Sequence, residues 1–250
     1  MRNALPCLLT LSWIAWPGVV GADPITIFLD GRQAVSVSLV RDNTGQDRED
    51  RQVVALRGIA ATQIMSPHGH SASSVATLFS ELSDPLHMFG AAFGRSTVAV
   101  PSTNQIGISS TLSLSQFNVF FSLDSPHTFT FSALFRGTPN LTEGQNRSAG
   151  RWTASLGAIS AGRTFNVFEH ASPFAAIGFD RVREKGLLQP SEYQILVEQV
   201  LTDEFHQPGS AASEGNFAFA FDLTPVPEPT SIVLLASGLV GLLGLRQRRN

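Results

Sequence analysis

The chain has 250 residues, of which 43% are hydrophobic and 15% charged, with a formal net charge of −3. There is no basic surplus of the kind that marks a nucleic-acid partner. Apolar segments recur along most of its length, which excludes a disordered chain, and one compact all-β domain can fill this length.

The first 24 residues, "MRNALPCLLTLSWIAWPGVVGADP", carry one early charge at Arg2 and then an apolar stretch from Ala4 to Val20. Val20 and Ala22 have the small-residue spacing of a signal-peptidase site, so cleavage is expected between Ala22 and Asp23. Cys7 is the only cysteine, and cleavage removes it. It also lies too early for a lipoprotein signal. The mature chain then holds no disulfide, no thiolate metal site and no cysteine nucleophile.

Period-two alternation dominates the body, placing one face of each segment in a core and the other outside. "QAVSVSLV" sets Val35, Val37 and Leu39 against serines. "RDNTGQDRED" follows, gathering Asp42, Asn43, Asp47, Glu49 and Asp50 among three arginines. Oxygen-rich loops can hold calcium, but this spacing is not that of an EF-hand, and a solvated hairpin loop is the expectation. "PHGHSASS" has the outline of a nucleophile elbow at Gly69–Ser73, with Ser where the second glycine should stand and Pro67 breaking the incoming strand. A polar loop with Ser73 or Ser74 capping a helix is preferred. The next segment, "SSVATLFSEL", puts Val75, Leu78, Phe79 and Leu82 at i, i+3, i+4 and i+7 and predicts a short helix. His68 and His70 could share a metal if they lay on one strand face, but they flank a glycine in an apparent loop.

Further along, "TLSLSQFNVFFSL", "HTFTFSALF", "RTFNVFEH", "AAIGFDRV" and "NFAFAFDL" all alternate, with Phe129, Phe131, Phe135, Phe217, Phe219 and Phe221 on core faces. "SEYQILVEQVL" fits helix or strand, and strand is favoured. Turn signals such as "RGTPN", "EGQN" and "QPGS" separate the segments. Asn140 and Asn146 match the glycosylation pattern without carrying weight here. Many strands joined by short turns predict an antiparallel β-sandwich or jelly roll.

The last stretch reads "TPVPEPTSIVLLASGLVGLLGLRQRRN". Pro225, Pro227 and Pro229 hold residues 225–231 extended and outside any sheet or helix. Residues 232–245 are uncharged and, as a helix, span roughly 21 Å, or about 24 Å with Thr230 and Ser231, against a bilayer core of about 30 Å. Gly238, Gly241 and Gly244 are ordinary in membrane helices. Arg246, Arg248 and Arg249 follow at once and are expected to stay cytoplasmic by the positive-inside rule. That places the body on the periplasmic side, the orientation the N-terminal signal also requires.

A Pro227-Glu228-Pro229 triplet, a short apolar helix and a terminal arginine cluster together resemble the PEP-CTERM sorting signal of Gram-negative bacteria. The resemblance implies recognition of the tail by an exosortase, a membrane-embedded cysteine transpeptidase, and association with exopolysaccharide, biofilm or the cell surface. The expected organisation is a signal peptide (1–22), a β-sandwich body with one short helix (23–224) and a sorting tail (225–250) whose residues 232–245 form a transmembrane helix. Its expected partners are signal peptidase, exosortase, the inner membrane transiently, and exopolysaccharide or surface matrix. Neither cofactor nor metal nor catalysis is expected. A structural or adhesive role is favoured, with a lectin-like module or glycan-active hydrolase as the alternative. Removal of Arg2, Arg246, Arg248 and Arg249 leaves 13 basic against 20 acidic residues if Glu228 is retained, near −7, which disfavours tight binding to anionic polymers. Only Trp152 among the tryptophans survives processing, so a sugar platform would need Phe or Tyr193.

Overall fold

A computed structural model describes residues 25–41, 47–66, 69–82, 84–102, 107–138, 141–143, 146–174 and 179–227. Ala22, Asp23, Glu228, Pro229, Arg246, Arg248, Arg249 and the expected apolar helix lie outside these residues, as do Asp42, Asn43, His68 and Asn140. The strands, in chain order, are β1 (Thr26–Asp30), β2 (Gln33–Arg41), β3 (Asp47–Ala55), β4 (Gly58–Met65), β5 (Ser71–Glu81), β6 (His87–Val100), β7 (Ile108–Leu123), β8 (His127–Gly137), β9 (Leu141–Glu143), β10 (Asn146–Ser160), β11 (Arg163–Pro173), β12 (Phe179–Leu188), β13 (Ser191–Phe205) and β14 (Gly209–Pro225).

They form two antiparallel sheets, as the alternation predicts. The first runs β11-β10-β13-β7-β2-β3, with β1 beside the end of β7 and β9 beside β10. The second runs β12-β8-β14-β6-β5-β4. The chain winds as two nested hairpins. The β5–β6 pair in the second sheet sits inside the β2–β7 pair in the first, and β10–β13 in the first sits inside β8–β14 in the second. Side by side, the two units meet through β13–β7 and β14–β6.

One expected element is not present. The segment read as a short helix, Ser73–Leu82, is strand β5, paired with β4 on one edge and β6 on the other. Its buried side chains include Ala72, Ser74, Ala76 and Leu78, a period of two. Val75 and Phe79 point outward, so the helical spacing of the apolar residues was coincidental. A run rich in Ser, Thr and Val suits a pleated surface better than a helix. The ambiguous segment at 191–201 is strand β13, as favoured.

The space between the sheets has two unlike halves. One is aromatic: Phe117 meets Phe219 edge-on at 4.6 Å, Phe135 stacks on Trp152 at 4.3 Å, and Phe131 lies 5.1 Å from Phe168. The other is lined by small and hydroxyl side chains. Ser36, Ser38, Ser74, Ser96, Ser113 and Ser115 are all fully buried there. Their hydroxyls bond across the gap: Ser74 Oγ donates to the Leu112 carbonyl and Ser113 Oγ to the Val75 carbonyl, each at 2.7 Å. Within this half lies the buried carboxylate of Asp203, 1% exposed, which accepts Ser96 Oγ at 2.5 Å and Ser213 Oγ at 2.6 Å. Ser96 also bonds Thr111, and Ser148 bonds Ser213. A buried carboxylate persists only when such donors surround it.

This division reverses part of the sequence reading. In β2 the inner face holds Ala34, Ser36, Ser38 and Val40, while Val37 and Leu39 are turned outward. In the first half of β7 the serines face in and Leu112 and Leu114 face out; in the second half Phe117, Val119 and Phe121 face in. A strand's faces are fixed along its length, so the large aromatic residues decide for the serines as well.

Candidate functional site

The residues singled out in the sequence are dispersed by the fold. Ser71–Ser73 belong to β5, paired on both edges, so no strained elbow projects a serine. Ser74 is not a helix cap but one of the buried intersheet donors. His70 is fully buried, packed where a side chain at Gly107 would stand. His87, His170 and His206 pair separately with Asp222, Glu184 and Glu204. Among the described residues no group of three or more His, Cys, Asp or Glu could hold a metal ion. Glu49 and Asp50 lie exposed on β3, and Asp47 is clamped by Arg41 at 2.5 and 2.6 Å. That hydrogen bond holds the Asp47 carboxyl below its ordinary value. The Asn146 amide is engaged: its Oδ1 accepts from the backbone of His206 and Gln207.

Tyr193 and Trp152, the one tyrosine and one tryptophan of the body, are 3% and 5% exposed and belong to the core. Burial pushes the Tyr193 phenol above its ordinary value. Phe28 and Phe165 are exposed on strands of the first sheet, and a cluster of exposed rings lies on the outer face of the second. Phe89 and Phe93 are 49% and 39% exposed, and Phe79, at 47%, lies opposite Ala91 between them; Arg57 lies over the Phe79 ring at 5.8 Å. Of these, the sequence singles out only Phe79, within the expected helix, and not Phe89 or Phe93.

The register aligns this face row by row. Arg183 lies opposite Ser132, then Ala220, then Phe89. Arg181 lies opposite Leu134, then Ala218, then Ala91, then Phe79. With strands about 4.8 Å apart, the arginines stand about 10 Å from the alanines and about 14 Å from Phe89. Between them runs a shallow groove of about 310 Å³, lined by Ser132, Leu134, Arg181, Arg183, Ala218 and Ala220. It continues past Thr130 and Lys185 as a further depression of about 410 Å³.

The cations on β12 owe their isolation to the pleat. In "DRVREK" acidic and basic residues look self-neutralising, but alternate residues face opposite sides. Asp180 turns inward and accepts Trp152 Nε1–H at 2.8 Å, and Glu184 turns inward to His170 at 2.7 Å. Arg181, Arg183 and Lys185 are left exposed on the outer face, with no ion pair among the described residues. At the groove's end His87 Nδ1 bonds Asp222 Oδ1 at 2.8 Å. That bond, aided by the Asp84 and Asp222 charges, raises the His87 pKa above 6.5 against a smaller opposing effect of desolvation. The folded state thus holds this proton more tightly than the unfolded chain. The resulting stabilisation is present below the unfolded pKa and is lost as pH rises through the folded one. A proton NMR titration of the His87 ring should give a midpoint above 6.5, returning toward it in Asp222→Asn; no difference between the two would contradict the pairing.

A larger groove of about 720 Å³ lies on the outer face of the first sheet, lined by Leu112, Arg151, Thr153, Pro173, Val200, Thr202 and neighbours. Arg151 is the single charged side chain in that lining, and the ring of Trp152 there belongs to the core.

The chain leaves the fold at β14, a strand paired on both sides, and the Val226 N–H donates to the Pro126 carbonyl at 2.9 Å. Pro227 stands exposed just beyond. Residues 225–249 match the PEP-CTERM protein-sorting motif. The chain carries a PEP-CTERM sorting motif. Its motif marks it as an exported chain processed at the membrane by an exosortase. No curated protein matches the PEP-CTERM chain. Among solved structures it is similar to infectious bursal disease virus Gx strain (8% identity, TM-score 0.22), covering 80% of this chain and 63% of that one. It is also similar to the Arthrobacter globiformis T6 isomalto-dextranase complexed with panose (14%, TM-score 0.19), covering 80% of this chain and 32% of that one. A carbohydrate-binding module from the β-sandwich superfamily gives 10% identity and a TM-score of 0.19, over 78% and 90% of the two chains. The PEP-CTERM chain thus spans less than two thirds of the first two structures.

Proposed function

We propose that this PEP-CTERM protein is a non-catalytic structural or adhesive component of the cell envelope or extracellular matrix, associated with exopolysaccharide or biofilm. The carrying observation is the position of the sorting motif, which begins at the last residue of a strand paired on both sides. The precursor is held at the inner membrane with its body on the periplasmic side. Signal peptidase removes residues 1–22, and exosortase then trims the tail and passes a folded β-sandwich to the cell surface or medium. Pro227 follows the Val226–Pro126 bond directly, so the triplet begins where the fold ends. A lectin-like module is the second reading, favoured by the exposed rings Phe79, Phe89 and Phe93.

Replacing Pro227-Glu228-Pro229 with alanines in an exosortase-bearing host is expected to abolish trimming and leave the protein in the membrane fraction. Unchanged trimming and release would defeat the sorting reading.

A further inference from the structure

We propose that the outer face of the second sheet binds a strand of acidic polysaccharide, seated between the cation row of β12 and the phenylalanine ridge of β5 and β6. This names a ligand class for the matrix role above and rests on that reading. Three features of the face converge on it. Arg181, Arg183 and Lys185 recur at every second residue, so their Cα positions stand about 6.6–6.8 Å apart along one rail. No carboxylate among the described residues pairs with them, although the processed body has 20 acidic residues against 13 basic ones. Three uncompensated cations on an acidic body mark a place for an external anion, and guanidinium groups suit carboxylates in particular. The overall charge, which disfavours anionic polymers, is offset locally because the pleat sends Asp180 and Glu184 inward.

The rest of the face selects a sugar over a bare polyanion. Ala91, Ala218 and Ala220 make a floor that leaves room for a ring lying flat. Ser132 offers a hydroxyl beside the cations, while Thr130 Oγ1 donates to Asp222 Oδ2 at 3.4 Å at the far end of the face. Phe89, half exposed, presents an apolar ring against which the C–H face of a sugar can pack. Outward cations on an edge strand also discourage edge-to-edge pairing. That role needs only β12, however, and gives no reason for the alanine floor or for a phenylalanine three strands away.

The test is binding by the full chain in detergent micelles, measured by calorimetry with a galacturonate hexamer, a neutral glucose hexamer and polyglutamate of matched charge. The galacturonate hexamer should bind, with the other two at least about tenfold weaker. Arg181→Gln/Arg183→Gln and, separately, Phe89→Ala should each weaken binding by about tenfold, the equivalent of about 1.4 kcal/mol. All three positions are on the surface, so both variants should keep the parent's melting temperature; Arg183→Glu gives an independent readout if the double variant does not. Absence of galacturonate binding overturns the proposal, as does binding insensitive to these substitutions. Equal binding of polyglutamate, with Phe89→Ala silent, would instead assign the face to acidic protein. The measurement uses uncut chain, so its failure leaves the sorting reading standing, and failure of the alanine-triplet test leaves this one standing.

Discussion

Phe135→Ala is expected to lower the stability of the body by about 3–5 kcal/mol. Phe135 is fully buried, stacks on Trp152 at 4.3 Å with 13° between the ring planes, and lies 5.9 Å from Phe217. Truncation removes that ring from a close-packed junction of β8, β10 and β14, where paired strands on three elements resist collapse into the space. Urea unfolding should show a lower midpoint at unchanged slope. Phe179→Ala, at a ring 57% exposed, should change stability by no more than about 0.5 kcal/mol. A loss below about 1 kcal/mol for Phe135→Ala would contradict the placement of this ring at the centre of the aromatic half.

Asp203→Ala is expected to cost about 2–5 kcal/mol by a different route. The side chain is 1% exposed, and both its oxygens accept serine hydroxyls. Its removal takes away the acceptor of Ser96 and Ser213 and leaves them only the Thr111 and Ser148 hydroxyls, at about 1–3 kcal/mol for each buried group that the remaining bonds fail to satisfy. Asp203→Asn retains one acceptor oxygen and should lose less than the alanine variant. A second substitution, Ser213→Ala, should be less costly in the Asp203→Ala background than alone, because the stranded donor is then gone. Full additivity of the two would contradict the network.

Much of the architecture was legible because alternation is a local signal. The phenylalanines of β8 and β14 face the core as read, and the strand choice for 191–201 holds. The faces of β2 and of the first half of β7 were not legible. "SVSLV" and "TLSLS" announce a period of two, but whether Val and Leu or Ser turn inward depends on strands far away in sequence. There the opposing sheet supplies backbone carbonyls within 2.7 Å of serine hydroxyls, and burying serine becomes cheap. The false helix at 73–82 has the same origin: its large apolar residues fall at helical spacing, whereas the inward face of the strand is carried by Ala72, Ser74, Ala76 and Leu78. Nor could the binding face be read in advance. Its cations are masked in sequence by the adjacent acids of "DRVREK", and only the pleat, together with Trp152 and His170 as inward partners, separates the signs.

Processing at both ends is expected to leave the sandwich intact. The direct measurement is the intact mass of the protein recovered from the medium and cell surface of an exosortase-bearing host. The predicted mass corresponds to a chain beginning at Asp23 and lacking the apolar run 232–245 and the arginines beyond it. A recovered protein whose mass still includes residues 232–250 would contradict it.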